Sequence, residues 1–305
     1  MATAMKEKSA AQKDVYTLIN GKIIEQLQKG IVPWRTQWIK GGIPTNIYTR
    51  NVFRGLNAIL LTMLGYGRNL FITEKQLKEY EGGAIKPGER PHMLASWNYK
   101  NEEGEATAND GNEKKERTGI SYYSVYNIAQ CVGVSYEMEA AVEIFPFTAC
   151  EEMIANMPHP PMIKHKEPLP YYQPMDDLVN MPKKTSFKNE AEFFEKFIHQ
   201  LVHSTGHHTR LNRIGLVQMP EFGCEPYTLE ELVAEIATCS LLSHVGITSD
   251  FEPTSAYLLG WIDKFSKDKY MIFNAATLAQ KAVDFIIGSE PQVEEAELAE
   301  EAVAA

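Results

Sequence analysis

The sequence predicts an α+β fold, with helices flanking an antiparallel sheet in an N-terminal domain and a mostly helical C-terminal domain that carries a short antiparallel sheet. The chain has 305 residues, 44% of them hydrophobic, which suits about two domains at roughly 150 residues each. Apolar residues recur with a helical period in several segments, and β-prone aromatic residues gather within 82–132. We expect domains at residues 11–135 and 145–288, followed by an acidic, disordered tail at 289–305.

The N-terminal domain is predicted to begin with helices. Residues 11–29 carry apolar side chains close to a 3.6-residue period, and a glycine follows as a helix stop. The apolar run over residues 53–64 predicts a second helix. Thr73 and Gln76 match a capping box, so a short helix is expected to start there and continue to about residue 80.

Strands are predicted next. The turn-rich segment from Gly82 leads towards a strand, and residues 119–132 contain a second run of β-prone aromatic side chains. Residues 101–118 are charged, rich in glycine and almost free of apolar side chains. We expect them to form a long, mobile hairpin loop.

The C-terminal domain is predicted to be mostly helical. Residues 137–156 have a helical pattern, a proline-rich breaker follows, and residues 169–182 contain two short strands around Pro174. Four further helices are expected, from Asn189 to Gly206, Thr228 to Val245, Thr254 to Lys267 and Tyr270 to Ile287.

The net charge of −10 is divided unevenly along the chain. Residues 1–135 hold 18 Lys and Arg against 13 Asp and Glu, whereas residues 136–305 hold 12 against 27. A basic surface attracts a polyanion and an acidic surface repels it, so any contact with nucleic acid belongs to the N-terminal part. The alternative is that the charged side chains of both parts lie on hydrated surfaces and bind no partner.

Hydropathy and cysteine usage exclude several protein classes. No apolar run reaches the roughly 18 residues of a membrane span, and the polar N-terminus lacks the apolar centre of a signal peptide. The four cysteines are widely spaced and form no C-x-x-C pair, which disfavours a cysteine zinc site and a disulfide framework. We therefore expect a cytoplasmic protein with reduced thiols and no membrane partner.

The most informative motif is the run from His199 to His203, which reads HQLVH in a helical, apolar context. Residues four apart share a helix face, so the two imidazoles can each place a nitrogen on one Zn²⁺ at about 2.0–2.1 Å. Zinc peptidases use this spacing with a glutamate after the first histidine, where this chain has Gln200. The motif indicates a metal site and argues against ordinary peptidase chemistry there.

A third ligand from the same helix is not expected. One class of zinc peptidase places a histidine three residues after a glycine, but here Thr209 occupies that position. His207 and His208 lie nearby in sequence. Gly206 is expected to end the helix, which leaves both imidazoles at its C-terminal end, where a positive charge is favoured.

A later helix offers carboxylates instead. Thr228 can cap this helix through Glu231, and Glu231 and Glu235 lie four residues apart on one face. Two carboxylates among apolar neighbours are costly to bury without partners, and a metal together with an imidazole would supply them. The alternative is a solvated face opposite an apolar stripe.

Most of the chain resembles the ArdC-type antirestriction proteins of conjugative elements, which join an N-terminal single-stranded-DNA-binding domain to a C-terminal zincin-like metallopeptidase domain. The resemblance rests on segments that occur in the family's order. In the N-terminal part these are Pro33-Trp34, Pro44-Thr45-Asn46, YTRNVFRGLN from Tyr48, GAIKPGE from Gly83, and Val125-Tyr126-Asn127. In the C-terminal part they are Pro170-Tyr171-Tyr172 to Met181-Pro182, HQLVHSTGH with Arg210 to Arg213, Glu230 to Ile236, and Ala275-Ala276 to Ala282.

The resemblance implies roles for individual residues. His199 and His203 match the metal-binding histidines, and Glu231 is implied as the third ligand of Zn²⁺ or another divalent metal. Glu235 is then expected to contact and orient a ligand. The alternative is that Glu235 binds the metal and Glu231 orients a ligand. Gln200 departs from the family pattern, because an amide lacks the basic oxygen with which a glutamate takes a proton, and losing such a base costs about 10²–10⁴ in rate.

The N-terminal part carries residue types that suit single-stranded DNA. Single strands are held by cations along the phosphates and by aromatic rings on which bases stack. No motif for reading a base sequence is visible, so binding is expected to be salt-sensitive and largely indifferent to base identity. Core packing is the alternative for each aromatic side chain. The candidate contacts are Trp34, Arg50, Arg54, Asn57, Lys86 and Arg90.

Two classes of function follow. The favoured one is a factor that binds incoming single-stranded DNA and interferes with host restriction machinery, with a metal site that is weak or silent in hydrolysis. The second is a metallopeptidase that cleaves a protein partner and uses DNA binding for positioning. A third is a replication- or primase-associated accessory protein. Gln200 favours the first class over the second.

Overall fold

The computed structural model describes residues 2–37, 41–100, 106–107, 116–136, 145–217 and 225–289. The arrangement is α+β, which confirms the predicted fold class. The helices are α1 (Ala2–Gln28), α2 (Gly55–Thr62), α3 (Glu74–Leu77), α4 (Pro146–Ala155), α5 (Glu190–Thr205), α6 (Ile214–Val217), α7 (Glu225–Val245), α8 (Ser255–Lys267) and α9 (Met271–Ile287). The strands are β1 (Thr45–Asn46), β2 (Leu70–Ile72), β3 (Ala84–Ile85), β4 (His92–Lys100), β5 (Ala106–Thr107), β6 (Glu116–Asn127), β7 (Cys131–Val132), β8 (Met162–Lys164), β9 (Tyr171–Gln173) and β10 (Leu178–Asn180).

The larger sheet has the strand order β1-β2-β6-β4-β5. Its longest pairing joins β4 to β6 in antiparallel register, with His92 opposite Val125 and Trp97 opposite Ile120. The pair β1 and β2 is parallel, so the expectation of a wholly antiparallel sheet is wrong at this edge. The physical reason is that parallel neighbours need a crossover, and α2 lies between these two strands in the chain.

β3 and β7 form a two-stranded sheet, and a three-stranded sheet in the C-terminal half has the order β8-β10-β9. β9 and β10 are the two predicted strands, and they flank a short 3-10 turn at Pro174–Asp176 as expected. β8 was not predicted, and it pairs with β10 in parallel, so this sheet is also mixed. All three residues of the central strand β10 are buried, whereas its neighbours are partly or fully exposed.

Capping residues account for how closely several helices match their predicted bounds. Thr73 and Gln76 form both hydrogen bonds of the predicted capping box. The side chain of Asn189 accepts from Glu192 N at the start of α5, and that of Thr254 accepts from Tyr257 N at the start of α8. These short-range signals can be read directly from the sequence.

The start of α7 differs from its prediction. The helix begins at Glu225, three residues before Thr228, so Thr228 lies inside the helix and the predicted capping box with Glu231 is wrong. The Thr228 hydroxyl instead accepts a hydrogen bond of 2.8 Å from Lys264 Nζ on α8. A contact between helices has replaced the local cap.

One hydrophobic cluster includes residues from both halves of the chain. α1 contributes a stripe with a four-residue spacing, from Val15 through Ile19 and Ile23 to Leu27. α1 ends at Gln28, and Gly30 lies two residues beyond it. Gly30 has a φ of +81°, in the left-handed region that favours glycine after a helix. The helices α5, α7 and α9 contribute most of the C-terminal part of the cluster.

Several predictions fall wholly or partly outside the described residues. These are most of the loop at 101–118, the helix before residue 145, the tail beyond 289, and Cys224. Where residues 101–118 are described, they belong to β5 and to the start of β6. The three cysteines of the described chain are free and buried, and no described helix has the length and hydropathy needed to cross a membrane.

Candidate metal centre

Helix α5 brings His199 and His203 together. Its apolar residues, Ile198, Leu201 and Val202 among them, are almost completely buried and fix the rotation of the helix. The two histidines are four residues apart on the remaining face, and their Nε2 atoms lie 3.1 Å apart. Two nitrogens bound at about 2.0–2.1 Å to one tetrahedral ion would lie roughly 3.3 Å apart, so the spacing suits a shared metal.

Helix α7 supplies the third group. The carboxylate of Glu231 has Oε2 at 3.7 Å from His199 Nε2 and Oε1 at 3.5 Å from His203 Nε2. In each of the three residues, one potential ligand atom lies within 4.8 Å of those of the other two. Among the described residues, these three form the group of His, Cys, Asp or Glu side chains close enough to share a metal ion. Two imidazoles and a carboxylate are donors that divalent transition metals accept.

The ring of His203 is held in place from behind by Glu230. The Nδ1 atom of His203 donates to Glu230 Oε1 at 3.1 Å, which leaves the lone pair on Nε2 facing the other two groups. Arg213 in turn donates to both oxygens of Glu230, from Nε at 2.8 Å and from Nη2 at 2.6 Å. This geometry selects one tautomer and one ring orientation for His203.

Arg213 reaches this position because Gly206 has no side chain. A Cβ at Gly206 would lie 3.1 Å from Arg213 Cζ and 2.5 Å from a methyl carbon of Leu216, so any larger residue would displace them. The guanidinium also donates to Thr205 Oγ1 at 2.6 Å and to the Val202 carbonyl at 2.8 Å. Arg213 therefore ties the end of α5 to α7.

The electrostatics suit metal binding. Burial lowers the pKa of His199, against the raising effect of its contact with Glu231, and a neutral imidazole is the form that binds a metal. Burial raises the pKa of Glu230, but the hydrogen bonds from Arg213 and His203 outweigh it and the net shift is downwards. Glu230 therefore remains an anion that accepts from its partners.

Gln200 lies next to His199 and is half-buried. His199, His203 and Glu231 would hold a divalent cation, which would supply Lewis acidity towards a carbonyl oxygen. Hydrolysis also requires a base that removes a proton from the attacking water, and the neutral amide of Gln200 has no such capacity. Its carbonyl oxygen can accept a hydrogen bond and so orient a water molecule. The chain therefore has the residues to bind a metal without the usual base beside them.

Glu235, expected beside a ligand, has other partners. Its carboxylate accepts from Trp34 Nε1 at 2.9 Å and from the hydroxyl of Tyr257, and Arg35 Nε lies 3.5 Å from it. The carboxylate that accepts a hydrogen bond from a ligand imidazole is instead that of Glu230, whose partner is His203 Nδ1. One helical turn separates Glu235 from Glu231, and this places it beside the N-terminal segment of the chain.

His207 and His208 lie outside the group, as their position after Gly206 predicts. α5 ends at Thr205, and the partly buried His207 interacts through Nδ1 with the hydroxyl of Thr209 at 2.8 Å.

Three of the six predicted DNA contacts are engaged inside the protein. The ring of Trp34 is only 2% exposed, so no base can stack on it in this structure. The guanidinium of Arg54 pairs with Asp284 on α9. The side chain of Asn57 donates to the Ala95 carbonyl at 2.8 Å and accepts from Ala95 N at 2.9 Å, which covers the open edge of β4.

The other three are exposed. Arg50 lies in the turn after β1 with φ of +65°. Lys86 and Arg90 share the loop between β3 and β4. This loop is attached to the turn before β7, because Lys86 Nζ donates to the Ala129 carbonyl at 2.6 Å and Gln130 Nε2 donates to the Arg90 carbonyl at 2.9 Å.

Two family models match the chain in succession. Residues 13–128 match the N-terminal domain of the anti-restriction factor ArdC, and residues 148–278 match a zincin-like metallopeptidase family. The chain is an ArdC-type protein. The helices that carry His199, His203 and Glu231 lie in its zincin-like part.

Solved structures share this architecture. The ArdC-type chain superimposes on the metal-free crystal structure of the antirestriction protein ArdC from plasmid R388 with a TM-score of 0.69 and 27% identity, covering 91% of this chain and 100% of that one. The Mn(II)-bound structure of the same protein gives a TM-score of 0.69 and 28% identity, covering 89% and 96% of the two chains.

Curated relatives include longer proteins. The DNA primase TraC of Escherichia coli is 28% identical over 296 residues, which cover 92% of the ArdC-type chain and 27% of TraC. The chain thus spans about a quarter of the length of this first relative. The uncharacterized protein y4eC of Sinorhizobium fredii is 25% identical over 287 residues, covering 90% of this chain and 91% of that protein.

Sequence reasoning missed Glu230 as the partner of His203 and Arg213 as the partner of Glu230. A signal was present, because Glu230 precedes the proposed ligand Glu231 and Arg213 follows the histidine helix by a few residues. The sequence could not show which of the neighbouring glutamates faces which imidazole nitrogen. That assignment depends on the rotation of α7 against α5.

Proposed function

We propose that this ArdC-type chain is an antirestriction protein that binds single-stranded DNA through its N-terminal half and holds a divalent metal, with zinc as the expected ion, in its zincin-like half. Peptidase activity is impaired by Gln200. The observation that carries the proposal is the convergence of His199, His203 and Glu231. It occurs in a chain that matches the N-terminal domain of ArdC followed by a zincin-like metallopeptidase family. The partners are incoming single-stranded DNA and the restriction machinery of the host, met in the cytoplasm.

The DNA-binding surface in this proposal consists of exposed residues. Arg50, Lys86 and Arg90 provide cations for phosphates. Tyr48, which is 47% exposed and close to Arg50 in sequence, replaces the buried Trp34 as the ring on which a base stacks. The net charge of +5 over residues 1–135 supports the same assignment.

A gel-shift titration with labelled single-stranded and double-stranded oligonucleotides of one sequence tests DNA binding. We expect a preference for the single strand, and a weaker salt dependence of binding in the double variant Lys86→Ala, Arg90→Ala. Each lost phosphate contact lowers the slope of log K against log salt by about 0.7. The matched control, Lys196→Ala with Lys281→Ala, removes two exposed cations from the C-terminal half. Equal affinity for the single-stranded and the double-stranded oligonucleotide at moderate salt would contradict this part of the proposal.

The metal and the missing base are tested together by metal analysis and by assays on casein and on the protein itself. We expect the parent to bind a divalent metal without cleaving casein, and Gln200→Glu to gain cleavage, because a general base contributes about 10²–10⁴ in rate. A variant with both His199→Ala and Gln200→Glu should lose the metal and remain inactive. Equal metal content with and without His199 contradicts the site, and strong cleavage by the parent favours the metallopeptidase alternative.

A second candidate function rests on the similarity to TraC. Since 92% of the chain aligns with a part of a DNA primase, an accessory role in priming on single-stranded templates is a specific alternative. Primer synthesis by a primase on a single-stranded template, measured with and without the protein, separates the two functions. Stimulation of synthesis favours the accessory role, whereas protection of incoming DNA from restriction favours the antirestriction role.

A further inference from the structure

Arg35 lies between the two helices that carry the candidate metal ligands. Its guanidinium donates from Nη1 to Glu195 Oε1 on α5 at 2.8 Å, and its Nε lies 3.5 Å from Glu235 Oε2 on α7. It also lies 3.9 Å from the ring centroid of Phe251. One cation from the N-terminal part therefore bridges two carboxylates of the C-terminal half.

The bridge lies one helical turn from the metal ligands on both helices. Glu195 precedes His199 by four residues, and Glu235 follows Glu231 by four residues. Four residues rise by about 6 Å along a helix. Since α5 contributes the earlier residue and α7 the later one, the two helices run in opposite directions, and Arg35 joins them on one side of the ligands.

A second arginine, Arg213, also connects the two helices close to the ligands. It binds Glu230 of α7 and the carbonyl of Val202 on α5. Two arginines thus each connect α5 to α7 near the ligand group. Arg213 belongs to the zincin-like half, whereas Arg35 comes from the N-terminal part.

The turn that carries Arg35 is firmly attached to the C-terminal half. The indole of Trp34 donates to Glu235 at 2.9 Å and packs edge-on against Trp261 and Phe265, each with ring centroids 5.6 Å away. Glu195 is held at its second oxygen, Oε2, by the hydroxyl of Ser249 at 2.7 Å. The guanidinium and its two carboxylates therefore have little freedom to move.

Electrostatics explain why the spacing of the helices depends on this cation. The side chains of Glu195 and Glu235 are only 15% and 12% exposed, so solvent screens their mutual repulsion weakly. With Arg35 absent, two partly buried anions would face each other across α5 and α7. Separation of these helices would move Glu231 away from His199 and His203.

We propose that Arg35 is a positioning residue of the metal centre, through which the N-terminal part of the chain holds the ligand helices at the spacing required for metal binding. The inference rests on the proposed metal site. It makes metal affinity a property of the whole chain, since the zincin-like half lacks this cation on its own. A change in the position of the Pro33–Arg35 turn then alters the metal centre.

The test is a Co²⁺ titration of the full chain, followed by visible absorption, which reports both affinity and coordination geometry. We expect Arg35→Ala to weaken Co²⁺ binding by about ten- to a hundredfold, as removal of groups that orient metal ligands does, and to change the spectrum. Arg35→Lys should restore part of the affinity, because an ammonium keeps the charge but loses the planar fork. Glu195→Gln should weaken binding in the same direction.

Arg54→Ala is the matched control. Arg54 also connects the two halves through an ion pair, with Asp284 on α9, and its side chain is 15% exposed against 16% for Arg35. Its ion pair leads to α9 rather than joining α5 to α7, so its removal should lower thermal stability without changing the Co²⁺ spectrum. Circular dichroism of each variant identifies any that fail to fold, and Arg35→Lys and Glu195→Gln then provide the comparison.

Two results overturn the inference alone. One is an unchanged Co²⁺ affinity in Arg35→Ala and Glu195→Gln while the parent binds and His199→Ala does not. The other is an equal loss of affinity in Arg54→Ala, which would mean that general destabilisation is responsible. A parent that binds no Co²⁺ overturns the proposed metal site and the inference with it.

Discussion

At the scale of single residues, the candidate site depends on partners that orient its ligands. Glu230 selects the tautomer of His203, and Arg213 holds Glu230 in position. The exposed fractions of the Arg213 and Glu230 side chains are 3% and 5%, so this pair has almost no contact with solvent. A buried ion pair contributes orientation more reliably than net stability.

Replacement of Glu230 tests this role. We expect Glu230→Gln to weaken binding of a divalent metal by about ten- to a hundredfold, because an amide orients the His203 ring less strongly than a carboxylate. It should also lower the free energy of unfolding, since Arg213 loses its anion. Calorimetric metal titration and urea unfolding measure the two effects. Glu152→Gln, at an exposed position of α4, is the control, and an unchanged metal affinity in Glu230→Gln would contradict the role.

At the scale of secondary structure, α9 supports the ligand helix α7. The two helices are in contact, and each carries small residues with 0% exposure, Ala234 and Ala237 on α7 and Ala275 and Ala276 on α9. Small side chains allow two helices to approach closely. The position of Glu231 against α5 therefore depends on the packing behind α7.

Overpacking of this contact has a predictable cost. We expect Ala276→Leu to lower the free energy of unfolding by about 1–3 kcal/mol, because the added atoms have no free volume to enter. Urea unfolding followed by circular dichroism measures the change. Ala256→Leu makes the same substitution at an exposed position of α8 and should change stability by less than about 0.5 kcal/mol. Equal effects at the two positions would argue against close packing of α7 and α9.

At the scale of the whole molecule, the two predicted domains share interior contacts. The stripe on α1 belongs to the same hydrophobic cluster as α5, α7 and α9. Asn20 on α1 donates to the carbonyl of Phe265 on α8 at 2.8 Å, and Gln37 donates to the carbonyl of Ile247 at 2.8 Å. These contacts explain why residues expected to face DNA, such as Trp34 and Arg54, are found inside the protein.

The solvent exposure of each side chain shows which of the six predicted DNA contacts are available to DNA, and amino-acid composition does not show this. The local sequence around an arginine or tryptophan does not show whether the side chain faces a phosphate or a buried carboxylate. Arg54 has a carboxylate partner more than 200 residues away in the chain, at Asp284, and no local pattern reports such a contact. Lys86 and Arg90 remain on a surface loop, which keeps them in the proposed interface.

The sequence by itself determined the α+β class, the bounds of most helices, and the pairing of His199 with His203. These features depend on helical period, caps and turn residues, which act over a few positions. Only the tertiary structure decided that Glu231 faces both imidazoles, that Glu230 supports His203, and that Arg35 joins the ligand helices. Such contacts depend on how helices far apart in the chain are rotated and packed against one another, and a local pattern carries no information about that packing.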